Sequence, residues 1–137
     1  MLLVSARKGP SSIHGIGLIA AEQISAGTEV WRFMPGFDVV VPETRLPTLS
    51  PNARQQLIYY AYFHTRTRTY VLSGDDDRFT NHSAEPNTEA AGYYTVARRD
   101  IAAGEEITVN YDSMSALAWW ATDTDTSSCE LVSERRP

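Results

Sequence analysis

The sequence predicts one mainly β domain with many turns and a single helix. Three observations carry that expectation. Short apolar or alternating runs recur along the chain: Leu18-Ile19-Ala20-Ala21, Glu29-Val30-Trp31-Arg32-Phe33, Phe37-Asp38-Val39-Val40-Val41, Tyr70-Val71-Leu72, Tyr93-Tyr94-Thr95-Val96-Ala97 and Ile107-Thr108-Val109. Such runs have the length and period of strands. Turn residues punctuate them, at Pro35-Gly36, Pro42, Ser73-Gly74-Asp75 and Gly104. The size and balance fit one core: 137 residues, 42% apolar and 21% charged.

Each element has a local reason. Ser25-Ala26-Gly27-Thr28 makes the turn into the Glu29–Phe33 strand. Ser50-Pro51 starts the helix, with Ser as cap and Pro at the first helical position, and the pattern predicts a helix over 51–63. Arg98 to Gly104 is a turn-bearing connection to the last strand. Two phrases echo each other, Ile24-Ser25-Ala26-Gly27-Thr28-Glu29-Val30 and Ile101-Ala102-Ala103-Gly104-Glu105-Glu106-Ile107, and read as shared turn chemistry. After Tyr111 the pattern weakens, although Leu117, Trp119 and Trp120 are apolar enough to dock. The chain from Thr122 is rich in Thr, Asp and Ser, so 1–121 is expected to be the domain and 122–137 a mobile tail.

Composition excludes several function classes. No apolar run approaches the roughly 20 residues of a membrane span. The start of the chain lacks the charge-then-apolar order of a secretory signal, so an intracellular, cytoplasmic protein is expected, nuclear in a eukaryotic host. Cys129 is alone, and His14, His64 and His82 have no metal-ligand spacing. Ser83 lacks a nucleophile-elbow context. A formal net charge of -5 disfavours a nucleic-acid partner and suits a basic peptide.

The densest polar stretch is Arg78-Phe79-Thr80-Asn81-His82-Ser83, followed by Pro86-Asn87. Buried polar groups need partners, so this stretch either staples the fold or grips a polar ligand. A second segment, Gly104-Glu105-Glu106-Ile107-Thr108-Val109-Asn110-Tyr111, ends in a tyrosine, and a third, Gly15-Ile16-Gly17-Leu18, lies near the start. In this order and spacing the three resemble the motifs of the SET-domain protein lysine methyltransferases, in the minimal form without a zinc lid.

The resemblance implies a β-clip of small sheets with a C-terminal pseudoknot that sets the Asn81-His82 segment beside the last strand. It implies methyl transfer from S-adenosylmethionine to a lysine amine of a protein or peptide. Tyr111 is the implied catalytic residue, against the plain reading of a core tyrosine at a strand end. Gly15, Ile16, Gly17, Asn81 and His82 are implied cofactor contacts, the histidine through its backbone. Asn87 reads instead as a structural brace. Arg78 either meets the cofactor carboxylate or pairs with Asp75, Asp76 or Asp77. Tyr60 and Tyr62 are expected at the substrate channel, with Val109, whose small side chain leaves room for more than one methyl. Trp119 and Trp120 would either cap the site, with Trp119 against the cofactor, or form a docking or homodimer contact. The alternative to an enzyme is a catalytically weak module of the same fold that binds a peptide or cofactor.

Overall fold

A computed structural model describes residues 1–91 and 94–116 of the chain. In chain order the elements are β1 (Ala6–Pro10), β2 (Ile16–Ala20), β3 (Glu29–Arg32), β4 (Val39–Pro42), α1 (Pro51–Tyr60), β5 (Tyr62–His64), β6 (Thr69–Leu72), β7 (Asn81–His82), β8 (Thr88–Ala90), β9 (Tyr94–Ala97), β10 (Glu106–Val109) and α2 (Tyr111–Ala116). Short 3-10 turns cover Glu43–Thr48 and Asp76–Phe79. Three small sheets result, ordered β1-β2-β10-β7, β3-β9-β8 and β4-β6-β5. The architecture is mainly β, as the sequence predicts. No helix among the described residues is long and apolar enough to cross a membrane.

The core lies where the echoing phrases meet. Leu18, Ala20, Ile24, Val30, Ala97, Ile101 and Ile107 form one buried cluster. The amide of Ile24 donates to the Ile101 carbonyl at 2.9 Å, and the amide of Ile101 returns the bond at 2.8 Å. Each phrase then closes the same turn, Thr28 N–H to Ser25 O in one and Glu105 N–H to Ala102 O in the other. The likeness in sequence is therefore a pair of like turns placed back to back.

Two expectations need correction. The helix stops at Tyr60, because Ala61 is already extended. Tyr62, Phe63 and His64 instead pair with Val71, Tyr70 and Thr69, and the Phe63 and Tyr70 rings lie 4.7 Å apart. Cross-strand aromatic packing outweighs the continuation of a short helix. The expectation of a single helix also fails, because Asn110 starts a second one, accepting from the Asp112 amide at 2.9 Å through its side chain.

The feature that positions the site is the parallel pairing of β7 with β10, Thr108 opposite Asn81 and Val109 opposite His82. The amide of Ser83 extends it by donating to the Val109 carbonyl at 3.0 Å. Parallel neighbours need a long crossover, and here β8, β9 and the second echo turn supply it. Asn87 locks the crossover. Its Nδ2 donates to the Glu106 carbonyl at 2.7 Å, and its Oδ1 accepts from the Thr108 amide at 2.8 Å.

Candidate active site

Tyr111 is the first residue after the capping Asn110, so its direction is set as the chain leaves β10. The segment Thr80–His82 holds it at both ends. Its backbone N–H donates to Nδ1 of His82 at 3.2 Å, and its hydroxyl donates to the Thr80 carbonyl at 2.7 Å. With Nδ1 accepting, a neutral His82 carries its proton on Nε2. The two rings lie 5.3 Å apart between centroids.

On the other side of the segment, the Asn81 amide grips the glycine loop. Its Nδ2 faces the carbonyls of His14 and Ile16 at 3.0 and 3.2 Å, Ser11 Oγ at 3.1 Å and Glu106 Oε1 at 2.8 Å. All four atoms accept, which fixes the amide orientation, and two hydrogens are shared among them. Ser11 Oγ donates onward to the Glu106 carboxylate at 2.8 Å and accepts from the amides of Ile13 and His14. The two glycines serve different needs. Gly15 has φ +51°, a left-handed conformation that side chains resist. Gly17 sits against Glu106, and a Cβ there would strike the carboxylate that Ser11 and Asn81 hold in place.

Asn81 Oδ1 receives no hydrogen bond among the described residues, so it is available to an ammonium donor. Ile16 stands half exposed at the start of β2, its carbonyl accepting from the Asn81 amide.

Electrostatics keep the phenols neutral. Burial pushes the Tyr111 hydroxyl above its ordinary pKa, and the charges of Asp77 and Tyr59 add to the shift. Burial pushes Tyr62 up strongly, followed by the charges of Asp77 and Asp38. β5 packs against α2, so the two tyrosines belong to one region. Asp77 itself is pushed up to about 6, chiefly by burial, with its Ser73 hydrogen bond opposing.

Arg78 and Tyr60 lie on the α1 side of the segment, and Val109 lies beside His82. Arg78 donates to the carbonyls of Asp75 and Gly74 at 3.0 and 3.2 Å, with no ion pair to the neighbouring aspartates among the described residues. It lines a groove of about 550 Å³ under α1 together with Val41, Leu57 and Tyr60. Tyr60 packs edge-on against Phe79 at 5.7 Å in that groove. Val109 is buried in β10 opposite His82. Trp119, Trp120 and the tail from 122 lie outside the described residues. Ser11, Glu106, Asp77 and Thr80 were not singled out from sequence. The available signals were the serine ahead of Gly15 and the second glutamate of the Gly-Glu-Glu run.

Comparisons with known proteins show the family and the fold. The SET domain family profile matches residues 15–112. The histone-lysine N-methyltransferase, H3 lysine-36 specific, of Cryptococcus neoformans is similar, 28% identical over 109 residues in each of two strains. That match covers 72% of this chain and 13% of the relative, so the chain spans a small part of the curated proteins it resembles. A Plasmodium falciparum crystal structure of a candidate histone methyltransferase superposes with TM-score 0.55 at 19% identity, covering 87% of this chain and 99% of that one. Polycomb Repressive Complex 2 of Chaetomium thermophilum, as a humanized mutant bound to an inhibitor, gives TM-score 0.59 at 22% identity over 80% of this chain and 15% of that one. The Asn81-His82 strand beside the strand leading to Tyr111, with the glycine loop clasped against both, agrees with the family match in placing this chain in the SET-domain family.

Proposed function

We propose that this chain transfers a methyl group from S-adenosylmethionine to the side-chain amine of a lysine in a protein substrate. The observation that carries the reading is the double clasp of Tyr111 by Thr80 and His82, next to the glycine loop held by Asn81. The relatives' specificity for lysine 36 of histone H3 suggests a basic, lysine-bearing segment as substrate, which the net charge of -5 suits.

S-adenosylmethionine, when bound, supplies a methyl group activated by a sulfonium. Asn81 would hold its ammonium through Oδ1 while Nδ2 keeps the loop in place. Gly15, Ile16 and Gly17 would present backbone to it, as would His82. Tyr111 acts as a neutral phenol, its pKa raised above an ordinary value that already lies well above pH 7. Its oxygen orients the amine lone pair and accepts weak C–H contacts from the methyl group. The substrate lysine has to be uncharged, which costs about 4–5 kcal/mol at pH 7 for a free side chain. The burial that penalises the Tyr62 phenolate penalises an ammonium in the same way. Tyr62 is thus the better supported channel residue, with Val109 behind it.

The test is transfer of radiolabelled methyl to lysine-rich proteins. Wild type is expected to label at least one of them. Tyr111→Phe is expected to transfer about 100-fold more slowly while binding the cofactor normally. Unchanged transfer in that variant removes Tyr111 from the chemistry. Cofactor binding without transfer in the wild type supports the weak binding module instead.

A further inference from the structure

The mechanism above leaves Asp77 without a role, yet this residue underlies the clasp on Tyr111. Its Oδ2 accepts from Ser73 Oγ at 2.7 Å, and its Oδ1 from Thr80 Oγ1 at 3.4 Å. Its backbone carbonyl accepts from the Thr80 amide at 2.9 Å. The Thr80 carbonyl in turn accepts from the Tyr111 hydroxyl. Ser73 is buried, so the carboxylate is anchored in place. No cation pairs directly with it among the described residues: Lys8 meets Asp76 at 3.1 Å, Arg78 the carbonyls of Gly74 and Asp75, and the Met1 ammonium Asp38 at 2.9 Å, from where its charge partly offsets that of Asp77. The charge of Asp77 reaches the phenols of Tyr62 and Tyr111, where it opposes their ionisation. A negative charge that opposes a phenolate favours an ammonium at the same place.

We infer that Asp77 is a positioning and selectivity residue for the substrate amine: its anchored carboxylate, linked through Thr80 to Tyr111, draws a lysine ammonium to the Tyr62–Tyr111 end of the site over an uncharged side chain of equal length. The inference rests on the methyl-transfer reading. It carries an internal tension, because the charge that helps the amine dock also holds its proton. Removing the charge therefore moves two kinetic constants in opposite senses. KM for the peptide rises, and the acid limb of kcat shifts to lower pH. A purely structural role produces no such split.

The titratable and charged groups facing Asp77 are Asp75 on its own turn, the Met1 ammonium, Asp38, Tyr62 and Tyr111, while Asp76, Arg78 and Lys8 are its neighbours with other partners. Tyr59 and His82 face Tyr111. All are shared by wild type and Asp77→Asn, so the difference between the two proteins isolates Asp77. The asparagine keeps the shape and can still bond Ser73 and Thr80.

The probe is a histone H3 peptide centred on lysine 36, with a twin carrying norleucine in place of that lysine. Wild type is expected to bind the lysine peptide several-fold more tightly than its twin. Asp77→Asn should lose most of that preference, raise KM about 3- to 10-fold and shift the acid limb of kcat down by roughly one pH unit. Asp76→Asn should change neither, and the cofactor Kd should be equal in all three proteins. Equal binding of the two peptides by wild type, including no binding of either, overturns the inference. So does an unchanged preference in Asp77→Asn, or a loss of cofactor binding that accompanies the kinetic change. The peptide preference is read without turnover, so it decides Asp77 separately. A wild type that prefers lysine but never transfers methyl supports Asp77 and removes the methyl-transfer reading.

Discussion

Asn81 and Asn87 carry the same side chain a few residues apart, and both reach the last strand, yet they do different work. Asn87 is 2% exposed and its amide is closed within the chain, Nδ2 on Glu106 and Glu105, Oδ1 on Thr108. Asn81 is half-buried, with Nδ2 saturated and Oδ1 receiving nothing among the described residues. An amide satisfied at both ends is a staple. An amide satisfied at one end only keeps an acceptor that a ligand could use.

The largest expected effect breaks the staple. Asn87→Ala leaves the Glu106 carbonyl and the Thr108 amide buried and unpaired, which costs about 3 kcal/mol of stability in urea unfolding. The folded fraction should bind cofactor within about twofold of wild type. Asn81→Ala should do the reverse, losing about 30-fold in cofactor affinity by calorimetry and about 1 kcal/mol in stability. If both variants lose affinity and stability together, the contrast between the two asparagines fails.

Two carboxyls sharpen the same distinction through pH. Asp77 has a folded pKa of about 6 against an ordinary 3.8, so between about pH 4 and 6 its folded form holds a proton that the unfolded chain has released, and above that range both are ionised. Its contribution is most favourable below pH 4 and is lost as pH rises through 6. Asp77→Asn should therefore raise stability by up to about 2 kcal/mol at pH 7–8, a gain that vanishes below pH 4. Glu105 runs the other way, held down to about 2 by its Arg99 partner, then by the Ala102 amide and Asn87. Its stabilisation is present above the ordinary 4.5 and lost as pH falls towards 2. The pair is largely at the surface, so Glu105→Gln should cost below about 1 kcal/mol at pH 7. Thermal melts of both variants across pH 3–8 check the two signs.

The legible parts of the sequence were those with strong local signals. Ser50-Pro51 marks the helix start, and Ser50 Oγ accepts from the Ala53 amide. The strands around Leu18, Val30, Val71 and Ile107 carry buried apolar residues that their patterns announce. The motif order named the family because it is specific even where each motif alone is weak. What stayed hidden depends on partners distant in sequence. Tyr62–His64 looks helical until Val71 and Tyr70 stand across from it. Asn81–His82 is too short to read as a strand without Thr108 and Val109 beside it. Ser11 and Glu106 gain meaning only when the fold brings them within 2.8 Å of each other. Asp77 reads as one of three surface aspartates until Ser73 and Thr80 enclose its carboxyl.

The most direct measurement is a calorimetric titration of S-adenosylmethionine into wild type and Asn81→Ala under identical conditions. Saturable binding with one cofactor per chain in the wild type, weakened about 30-fold in the variant, is the expected result. A folded wild type that takes up no cofactor, or a variant that binds it equally well, would contradict the assignment of the Asn81-clasped loop as the methyl-donor site.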